Sequence, residues 1–378
     1  MEKNGKVKFA VMSLENGHAM SIINGIFRCD FGELVAISVA PGVRLSDRES
    51  ILGVDFVKRG IDVYYDDEEM LKAHPEIECC AICGANGSHM RQFRLCAERG
   101  IHIISMKVPT LNIDEYNEML ALREKYGITV HTELEMRWRA SIERIKEVIA
   151  SGVLGEVESF TAYNYSHNPM WWRPWMDIPE ASYGRRVPIR PNEKVFRGGA
   201  LTDHPHVFDI MTYIFGSDIE SVYAECAPNM RDGAETEDMV YVTGKMQNGV
   251  IFSLDPSYAN KEKEIPRSTR DLDFVKYPKA CQVDIQINGT KGSIIADVYG
   301  SDNIETMQPD GVYMVTDYDI KLPVTSSKFI MDIARSVRNP EKYQPIVDFL
   351  AHKKIMLAVE ASYESIYTGE VVKIDYTK

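Results

Sequence analysis

Residues 79–106, CCAICGANGSHMRQFRLCAERGIHIISM, contain two short apolar runs separated by a helical pattern. The runs Cys79–Cys83 and His102–Met106 have the length and composition of buried strands. Between them, Gln92–Arg99 carries apolar residues at three- and four-residue spacing, and Gly100 follows where a helix would end. A strand, a helix and a second strand in this order predict a unit of a parallel α/β sheet.

The same alternation extends in both directions from this unit, over residues 6–131. A further helix is predicted over Ile113–Tyr126, before Gly127. Four other apolar runs predict strands, namely Val7–Met12, Leu34–Val39, Ile61–Tyr65 and Ile128–His131. The pattern is typical of a doubly wound domain, whose ligand crevice lies at the carboxyl ends of the strands.

The second half of the chain has the pattern of an antiparallel sheet. A helical face containing Ile142 and Ile145 ends at Gly152 and precedes a predicted strand, Glu156–Tyr165. Further strands are predicted within 219–227, 239–257, 281–298 and 311–316, with turns at Asn248-Gly249 and Asn288-Gly289. The last predicted elements are a helix, Lys353–Thr368, and a strand, Val371–Ile374.

The composition is that of a soluble globular protein with more than one domain. The chain has 378 residues, of which 44% are hydrophobic and 26% charged. No apolar run approaches the roughly 18 residues of a membrane span, and the first residues lack the apolar stretch of a signal peptide. We therefore expect no membrane partner. The seven cysteines show no disulfide-framework spacing, so we expect a cytoplasmic protein. A formal charge of -13 argues against a nucleic-acid partner, which would need a basic stripe.

Several local patterns follow one another along nearly the whole chain. The segment Ala81-Ile-Cys-Gly-Ala-Asn86-Gly-Ser-His89 is followed, after one strand, by Met106-Lys107-Val108-Pro109. Next come, in order, Arg137-Trp138, Ser151–Val157, Gly198–Asp203, His206 with Asp209, Phe215-Gly216, Glu237-Asp238, Asn288–Ser293 and Glu360–Ser365. In this order the patterns resemble the glucose-fructose oxidoreductase, inositol dehydrogenase and MocA (Gfo/Idh/MocA) family.

The resemblance implies a Rossmann-like dinucleotide-binding domain over residues 1–130, built on a doubly wound parallel sheet. It implies a C-terminal domain over residues 131–378 for substrate binding and oligomerisation, with a large, mainly antiparallel sheet flanked by helices. The implied activity is NAD- or NADP-dependent hydride transfer from a hydroxyl-bearing carbon of a sugar, glycoside or polyol. We also expect a homo-oligomer, a dimer or tetramer, that assembles through the C-terminal sheet.

The turn after the first strand departs from the family's glycine-rich pattern. Met12–His18 has one glycine and an acid, Glu15, which would repel a pyrophosphate if it faced one. The second strand lacks the acid that usually binds the ribose hydroxyls, and Arg44 is either a contact for the 2′-phosphate of NADP or an exposed loop residue. We therefore expect weak dinucleotide binding, with contacts from Ser13, Gly17, His18, Asn86, His89 and Lys107.

Hydride transfer from a sugar needs a group that removes the hydroxyl proton and one that stabilises the developing alkoxide. By resemblance, Lys107 lies at the domain junction beside the substrate hydroxyl, where partial burial and a neighbouring cation would lower its pKa. His206 begins a helical stripe with Asp209 and Tyr213. His206 either faces the cleft as a catalytic residue or is a hydrogen-bonded histidine at the helix terminus. Asp203 either orients substrate hydroxyls or caps that helix. Lys107, His206 and Asp203 are the catalytic candidates.

The segment Tyr163–Trp175 holds three of the four tryptophans. Aromatic rings stack on the C–H faces of sugars, but subunit contacts use the same residue types, so both interpretations stay open. The candidates for substrate binding are Arg137, Tyr165, His167, Trp172, Arg173 and His204.

Nitrogen and oxygen side chains that suit a divalent metal also occur, at His131, Glu133, Glu135, Asp203, His204 and His206. Their spacing matches no known metal signature, so no metal residues are assigned and a metal is not expected. Two other functions remain open. One is NAD-dependent glycoside cleavage through transient oxidation and elimination, and the other is a sugar-binding or metal-dependent protein that no longer uses a dinucleotide.

Overall fold

The computed structural model describes the chain as two compact units. The described residues are 5–110, 112–166, 187–229, 234–258, 281–298, 303–307, 313–316 and 325–378. The first unit takes those up to Glu135 and those from 325 to Lys353, and the second unit takes the others. The predicted boundary between residues 130 and 131, and the roles given to the two domains, stay predictions.

The strands of the described residues are β1 (Val7–Met12), β2 (Gly32–Ser38), β3 (Asp62–Tyr64), β4 (Cys79–Ile82), β5 (His102–Ser105), β6 (Val130–Thr132), β7 (Val157–Ser166), β8 (Ile219–Cys226), β9 (Val240–Met246), β10 (Ile251–Asp255), β11 (Cys281–Gly289), β12 (Ser293–Asp297), β13 (Asn303–Met307), β14 (Tyr313–Thr316) and β15 (Val372–Lys373). The helices are α1 (His18–Phe27), α2 (Leu45–Leu52), α3 (Asp67–Ala73), α4 (His89–Ala97), α5 (Ile113–Tyr126), α6 (Ala140–Ala150), α7 (Ala200–Asp203), α8 (His206–Phe215), α9 (Thr325–Arg338) and α10 (Phe349–Thr368).

The six strands of the first unit form one parallel sheet in the order β3-β2-β1-β4-β5-β6. Strands such as β1 and β4 are buried along almost their whole length, as expected for a sheet with both faces covered. The chain order reverses between β1 and β4, which places the ligand crevice at their carboxyl ends. The predicted doubly wound parallel sheet is therefore confirmed. Helix α9, which the sequence analysis did not predict, packs on α1.

Helix α5 shows how the local sequence fixes an element beside the crevice. The side chain of Asn112 accepts a hydrogen bond from the amide of Asp114 at 2.9 Å and caps the start of the helix. Gly127 ends the helix with a φ of 62°, a conformation that favours glycine. Both ends match the prediction, Ile113–Tyr126.

The second unit contains one mixed sheet, in the order β14-β13-β12-β11-β7-β10-β9-β8-β15 among the described strands. Its strand pairs are antiparallel except that β7 and β10 run parallel. The prediction of a large, mainly antiparallel sheet with helices is thus confirmed.

The two faces of this sheet differ in burial. Phe160 and Ala162 of β7 are buried, and the Phe160 ring meets Phe215 of α8 edge-on at 5.7 Å. The opposite face, defined here as the open face, includes Ile251 and Ile295, which are 59% and 48% exposed. Alternation of side chains along each strand explains how one sequence supplies both faces.

The predicted turn at Asn288-Gly289 is wrong by two residues. Asn288 pairs with Ser293, and Gly289 still belongs to β11, so the chain turns through residues 290–292. A Cβ on Gly289 would lie 2.4 Å from the carbonyl oxygen of Leu154. The close approach of two backbones, rather than a turn, therefore requires this glycine.

Across the part of the chain that the structure describes, no helix has both the length and the hydrophobicity needed to cross a membrane.

Candidate functional site

The turn between β1 and α1 is held against the end of β4. The amides of Glu15 and Asn16 both donate to the carbonyl oxygen of Cys83, at 3.1 and 3.0 Å. The carboxylate of Glu15 accepts a hydrogen bond from the amide of Ala85 at 2.8 Å. An acidic side chain therefore lies at the crevice edge, and two amides of the turn are already bonded.

Gly17 leaves space at the same turn. It occupies the N-cap of α1, and a Cβ added to it would meet no heavy atom within 4 Å. The amide of His18 is bonded to the side-chain oxygen of Asn16 at 2.9 Å. The open approach and the positive end of the helix dipole suit an anionic group, although fewer amides remain available than in a glycine-rich turn.

Ser13, predicted to contact a cofactor, belongs to a buried polar network. Its amide donates to the hydroxyl of Ser38 at 2.8 Å, and that hydroxyl donates to Asp67 at 2.6 Å. The side-chain amide of Gln92 donates to the hydroxyl of Ser13 at 2.6 Å and to Asp67 at 3.0 Å. The network stiffens the floor of the crevice, and the sequence analysis did not foresee Asp67 or Gln92 in it.

His89 and Asn86, two further predicted cofactor contacts, follow β4. His89 is fully buried, and its ring nitrogens lie 3.0–3.1 Å from the carbonyl oxygens of Val108, Pro109 and Gly84. The imidazole thus fixes the segment after β5 against the turn after β4. Asn86 begins a single 3-10 turn and is also buried.

Lys107 is the second residue after the end of β5, and it is 6% exposed. Its positive charge lowers the pKa of Glu133, against the larger effect of burial, which raises the pKa of that carboxyl group. Glu133 is therefore a charged neighbour of Lys107. The expected neighbouring cation stays a prediction.

His18 and two acids form a compact group, defined here as the His18–Glu133–Glu135 cluster. His18 begins α1, and the two glutamates follow β6. The Nδ1 atom of His18 lies 2.9 Å from Oε1 of Glu133, and one ligand atom from each of the three residues lies within 4.8 Å of the others. Burial raises the pKa of Glu133, His18 lowers it and Glu135 raises it further. The cluster concentrates negative charge at the carboxyl edge of the sheet.

In the second unit, Asp203 and His204 are buried beside Tyr258. The hydroxyl of Tyr258 donates to Oδ2 of Asp203 at 3.1 Å. Nδ1 of His204 lies 3.0 Å from the carbonyl oxygen of Pro256, so this nitrogen carries a hydrogen. Pro205 occupies the N-cap of α8, the helix that Asp203 was a candidate to cap.

His206 is the first residue of α8 and is 4% exposed. One turn along the same helix, Asp209 forms a buried, two-point ion pair with Arg137, at 2.5 and 2.9 Å. This pair fixes α8 and so the position of His206. The predicted contact of Arg137 with a substrate stays a prediction, since the structure gives its guanidinium a partner within the protein.

Glu237 holds the short helix that ends in Asp203. Its carboxylate accepts hydrogen bonds from the amides of Gly199 and Leu201 at 3.0 and 3.1 Å, and from the hydroxyl of Tyr363 at 2.7 Å. Burial raises the pKa of Glu237 to about 7, and the bond from Tyr363 opposes that rise. The sequence analysis noted Glu237 only as part of a family pattern.

Tyr165 lies on the open face of the sheet. It alternates with Phe160 and Ala162 along β7, and its ring stacks on Tyr163 with centroids 4.6 Å apart. Its hydroxyl donates to Asp255 at 2.6 Å. Tyr165 therefore points away from the face that packs on α8, and both its predicted substrate contact and the subunit-contact interpretation stay predictions. The other aromatic-segment candidates, His167, Trp172 and Arg173, lie outside the described residues.

The six-stranded parallel sheet and its crevice are those of a dinucleotide-binding fold. The described strands of the second unit form a separate domain, with a mainly antiparallel sheet. The model described as the oxidoreductase family with NAD-binding Rossmann fold matches residues 46–134. The model of the GFO/IDH/MocA C-terminal domain matches residues 142–295. The chain belongs to the GFO/IDH/MocA oxidoreductase family.

Individual relatives are distant. The chain is 24% identical to the uncharacterized oxidoreductase YrbE of Bacillus subtilis over 67% of its own length and 64% of that protein. It is 22% identical to D-glucoside 3-dehydrogenase of Escherichia coli over 95% of each chain. The crystal structure of an inositol dehydrogenase homolog from Azotobacter vinelandii, complexed with NADH and myo-inositol, has a TM-score of 0.77, 16% identity and 98% coverage of both chains. The last comparison establishes the fold.

The residues of the first unit fit an NAD-type cofactor. Gly17 would admit the pyrophosphate at the start of α1, and Asn86 and Lys107 follow β4 and β5 at the crevice. Arg44 is exposed and pairs with Asp47 at 3.1 Å, an arrangement that agrees with a surface loop residue. Glu15 is the residue that fits the pyrophosphate least well.

Proposed function

We propose that this protein is an NAD- or NADP-dependent dehydrogenase that oxidises a hydroxyl-bearing carbon of a sugar, glycoside or polyol. The observation that carries the proposal is the buried Lys107 at the end of β5, in a unit of the NAD-binding Rossmann family. The full-length similarity to a D-glucoside 3-dehydrogenase supports the substrate class.

Lys107, as the neutral amine, is proposed to take the proton from the substrate hydroxyl and to become the ammonium form. Its burial reduces competition from water, and His89 fixes the backbone that carries it. The bound nicotinamide supplies the hydride acceptor. A positioned proton-transfer group of this kind contributes about a hundredfold to ten-thousandfold to a rate.

His206 and Asp203, which belong to the second unit, are proposed to act on substrate oxygens. His206 is held by the helix that the Arg137–Asp209 ion pair fixes, and Asp203 by the hydrogen bond from Tyr258. His204, with its Nδ1 bonded to a carbonyl oxygen, is proposed to bind a substrate hydroxyl through Nε2.

The test combines binding and turnover. Purified protein is analysed by native mass spectrometry for bound dinucleotide, and sugars, glycosides and polyols are then screened with NAD and NADP for absorbance of the reduced cofactor. Reduction that depends on both substrate and cofactor supports the proposal. Tightly bound NAD with substrate cleavage and no net reduction would replace it with the oxidation-elimination activity. Failure to bind either dinucleotide at about 1 mM would overturn both.

We propose further that the protein is a cytoplasmic homo-oligomer. Six of the seven cysteines, namely Cys29, Cys79, Cys80, Cys83, Cys96 and Cys226, are buried and free, which suits a reducing compartment. The open face of the second-unit sheet carries exposed apolar side chains that a second copy would cover.

A further inference from the structure

We propose that His18, Glu133 and Glu135 bind one divalent transition-metal ion at the carboxyl edge of the six-stranded sheet. The three residues come from two places, the start of α1 and the segment after β6, and the fold brings them together. They form the one group of at least three metal-binding side chains with converging ligand atoms that occurs among the described residues.

The distances suit coordination to a single ion. Two ligand atoms that each lie about 2.1 Å from a metal are separated by about 3.0 to 3.4 Å at ordinary coordination angles. The separation of 2.9 Å between His18 and Glu133 is close to that value, and all three ligand atoms lie within 4.8 Å of one another. Coordination of one ion by all three residues requires side-chain rotations that shorten any longer separation to about 3.4 Å.

A buried carboxylate oxygen provides an independent observation. Glu133 is 3% exposed, and its Oε2 atom is buried without a hydrogen-bond partner among the described residues. Burying such an atom without a partner costs free energy, which a bound cation would recover. The other oxygen, Oε1, lies 2.9 Å from Nδ1 of His18.

The charges and ligand types indicate which cation would bind. Two carboxylates lie beside one histidine, and Lys107 contributes a single positive charge to the surroundings of Glu133. One imidazole nitrogen with two carboxylate oxygens suits Zn²⁺, Mn²⁺ or a related first-row ion better than Ca²⁺, which prefers oxygen alone. Three protein ligands leave at least one position for water or for a substrate oxygen.

The test uses the full-length protein, treated with EDTA and then titrated with Mn²⁺ alone, with the free ion followed by electron paramagnetic resonance. We expect one Mn²⁺ per chain with a dissociation constant below about 100 µM. For Glu133→Gln we expect a dissociation constant that is larger by a factor of at least about ten. Neither NAD nor a sugar is present, so the result is independent of the proposed dehydrogenase activity.

The chain offers a matched control at His74, which also lies beside two acids. Its Nδ1 is 2.9 Å from Glu76 and its Nε2 is 3.2 Å from Asp62, so the carboxylates sit on opposite sides of the ring and cannot share one ion with it. Glu76→Gln should bind Mn²⁺ as the unmodified protein does.

Three further measurements decide the result. Circular dichroism establishes that each variant is folded, and Glu135→Gln, at a less buried position, repeats the test if Glu133→Gln does not fold. Co²⁺ added in place of Mn²⁺ should give visible absorption bands that weaken in His18→Gln. No saturable Mn²⁺ binding below about 1 mM, or equal binding by the folded cluster variants and the unmodified protein, would overturn the proposal.

Discussion

Lys107 combines a positive charge with a position that is almost closed to solvent. Replacing it by methionine keeps a similar stem length and removes the ammonium group. If Lys107 transfers the substrate proton, Lys107→Met should lower kcat by about a hundredfold to ten-thousandfold in a protein that still folds. The measurement is steady-state turnover with a substrate found by the screen, together with circular dichroism.

Lys72 provides the control for that substitution. Its ammonium pairs with Glu68 at 3.0 Å and is 66% exposed, and such surface pairs contribute under about 1 kcal/mol. Lys72→Met should leave kcat within about twofold of the unmodified protein. Near-normal turnover in folded Lys107→Met would remove Lys107 from the mechanism.

Glu237 makes the stability of the protein depend on pH. Burial raises its pKa from 4.5 to about 7, so between these values the folded state holds a proton that the unfolded state has released. The resulting stabilisation is fully present below about pH 4.5 and is lost as the pH rises through about 7. Glu237→Gln cannot titrate, so its free energy of unfolding should fall less than that of the unmodified protein across this range.

Urea denaturation at several pH values between 4.5 and 7.5 measures that difference. Glu118→Gln, which removes an exposed carboxylate paired with Arg94, is the matched control and should follow the unmodified protein. Parallel curves for Glu237→Gln and the unmodified protein would show that Glu237 does not titrate in this window.

At the scale of elements, the strands of the first unit could be predicted because each is a buried apolar run between breakers. β1 and α5 have the predicted bounds, and β4 and β5 differ by one residue. Helix α9 carried a usable signal that was missed, since Phe329, Ile330 and Ile333 follow helical spacing and are buried. The parallel pairing of β7 with β10 could not be read locally, because it depends on contacts between distant segments.

The site shows the same division between local and distant information. Lys107 and Asn86 could be placed at strand ends from the order of the strands alone. The pairing of Arg137 with Asp209 joins residues 72 positions apart, and the bond between Glu15 and Ala85 joins residues 70 positions apart. Sequence spacing carries no information about such partners, so their roles needed the folded chain.

The β1–α1 turn leads to a prediction about cofactor affinity. The Glu15 carboxylate lies where the turn meets the end of β4, and a second anion placed nearby would be repelled. Glu15→Gln keeps an oxygen for the amide of Ala85 and removes the charge, so NAD should bind about three- to tenfold more tightly. Isothermal titration calorimetry measures the change.

Glu33 supplies the control for the turn, because it lies near the amino end of β2, at the opposite edge of the sheet from the crevice, and pairs with Lys8 at 2.6 Å. Glu33→Gln should leave the affinity unchanged. Weaker or equal NAD binding by Glu15→Gln would show that the carboxylate does not face the pyrophosphate.

At the scale of the whole molecule, the open face of the second-unit sheet is the surface most in need of a partner. Paired residues of neighbouring strands share a face, and the pairings place Ile251, Ser253 and Ile295 together with Thr161 on this one. Tyr241 adds an aromatic ring that is 50% exposed. Polar residues lie between these apolar ones, and a mixture of apolar and polar side chains is typical of the interfaces between protein subunits.

The last prediction tests whether this face joins two copies of the chain. A glutamate placed at the centre of an interface must be buried without a partner, which costs several kcal/mol and raises the dimer dissociation constant at least a hundredfold. Ile251→Glu combined with Ile295→Glu should therefore convert a dimer or tetramer at about 10 µM into smaller species, measured by light scattering after gel filtration. Val57 is 68% exposed in the first unit, and Val57→Glu, which adds the same type of side chain elsewhere, should leave the mass unchanged. A monomeric unmodified protein, or a double variant that keeps its mass, would exclude the open face as the interface, because exposed isoleucines on a surface that stays in water lose nothing when they become charged.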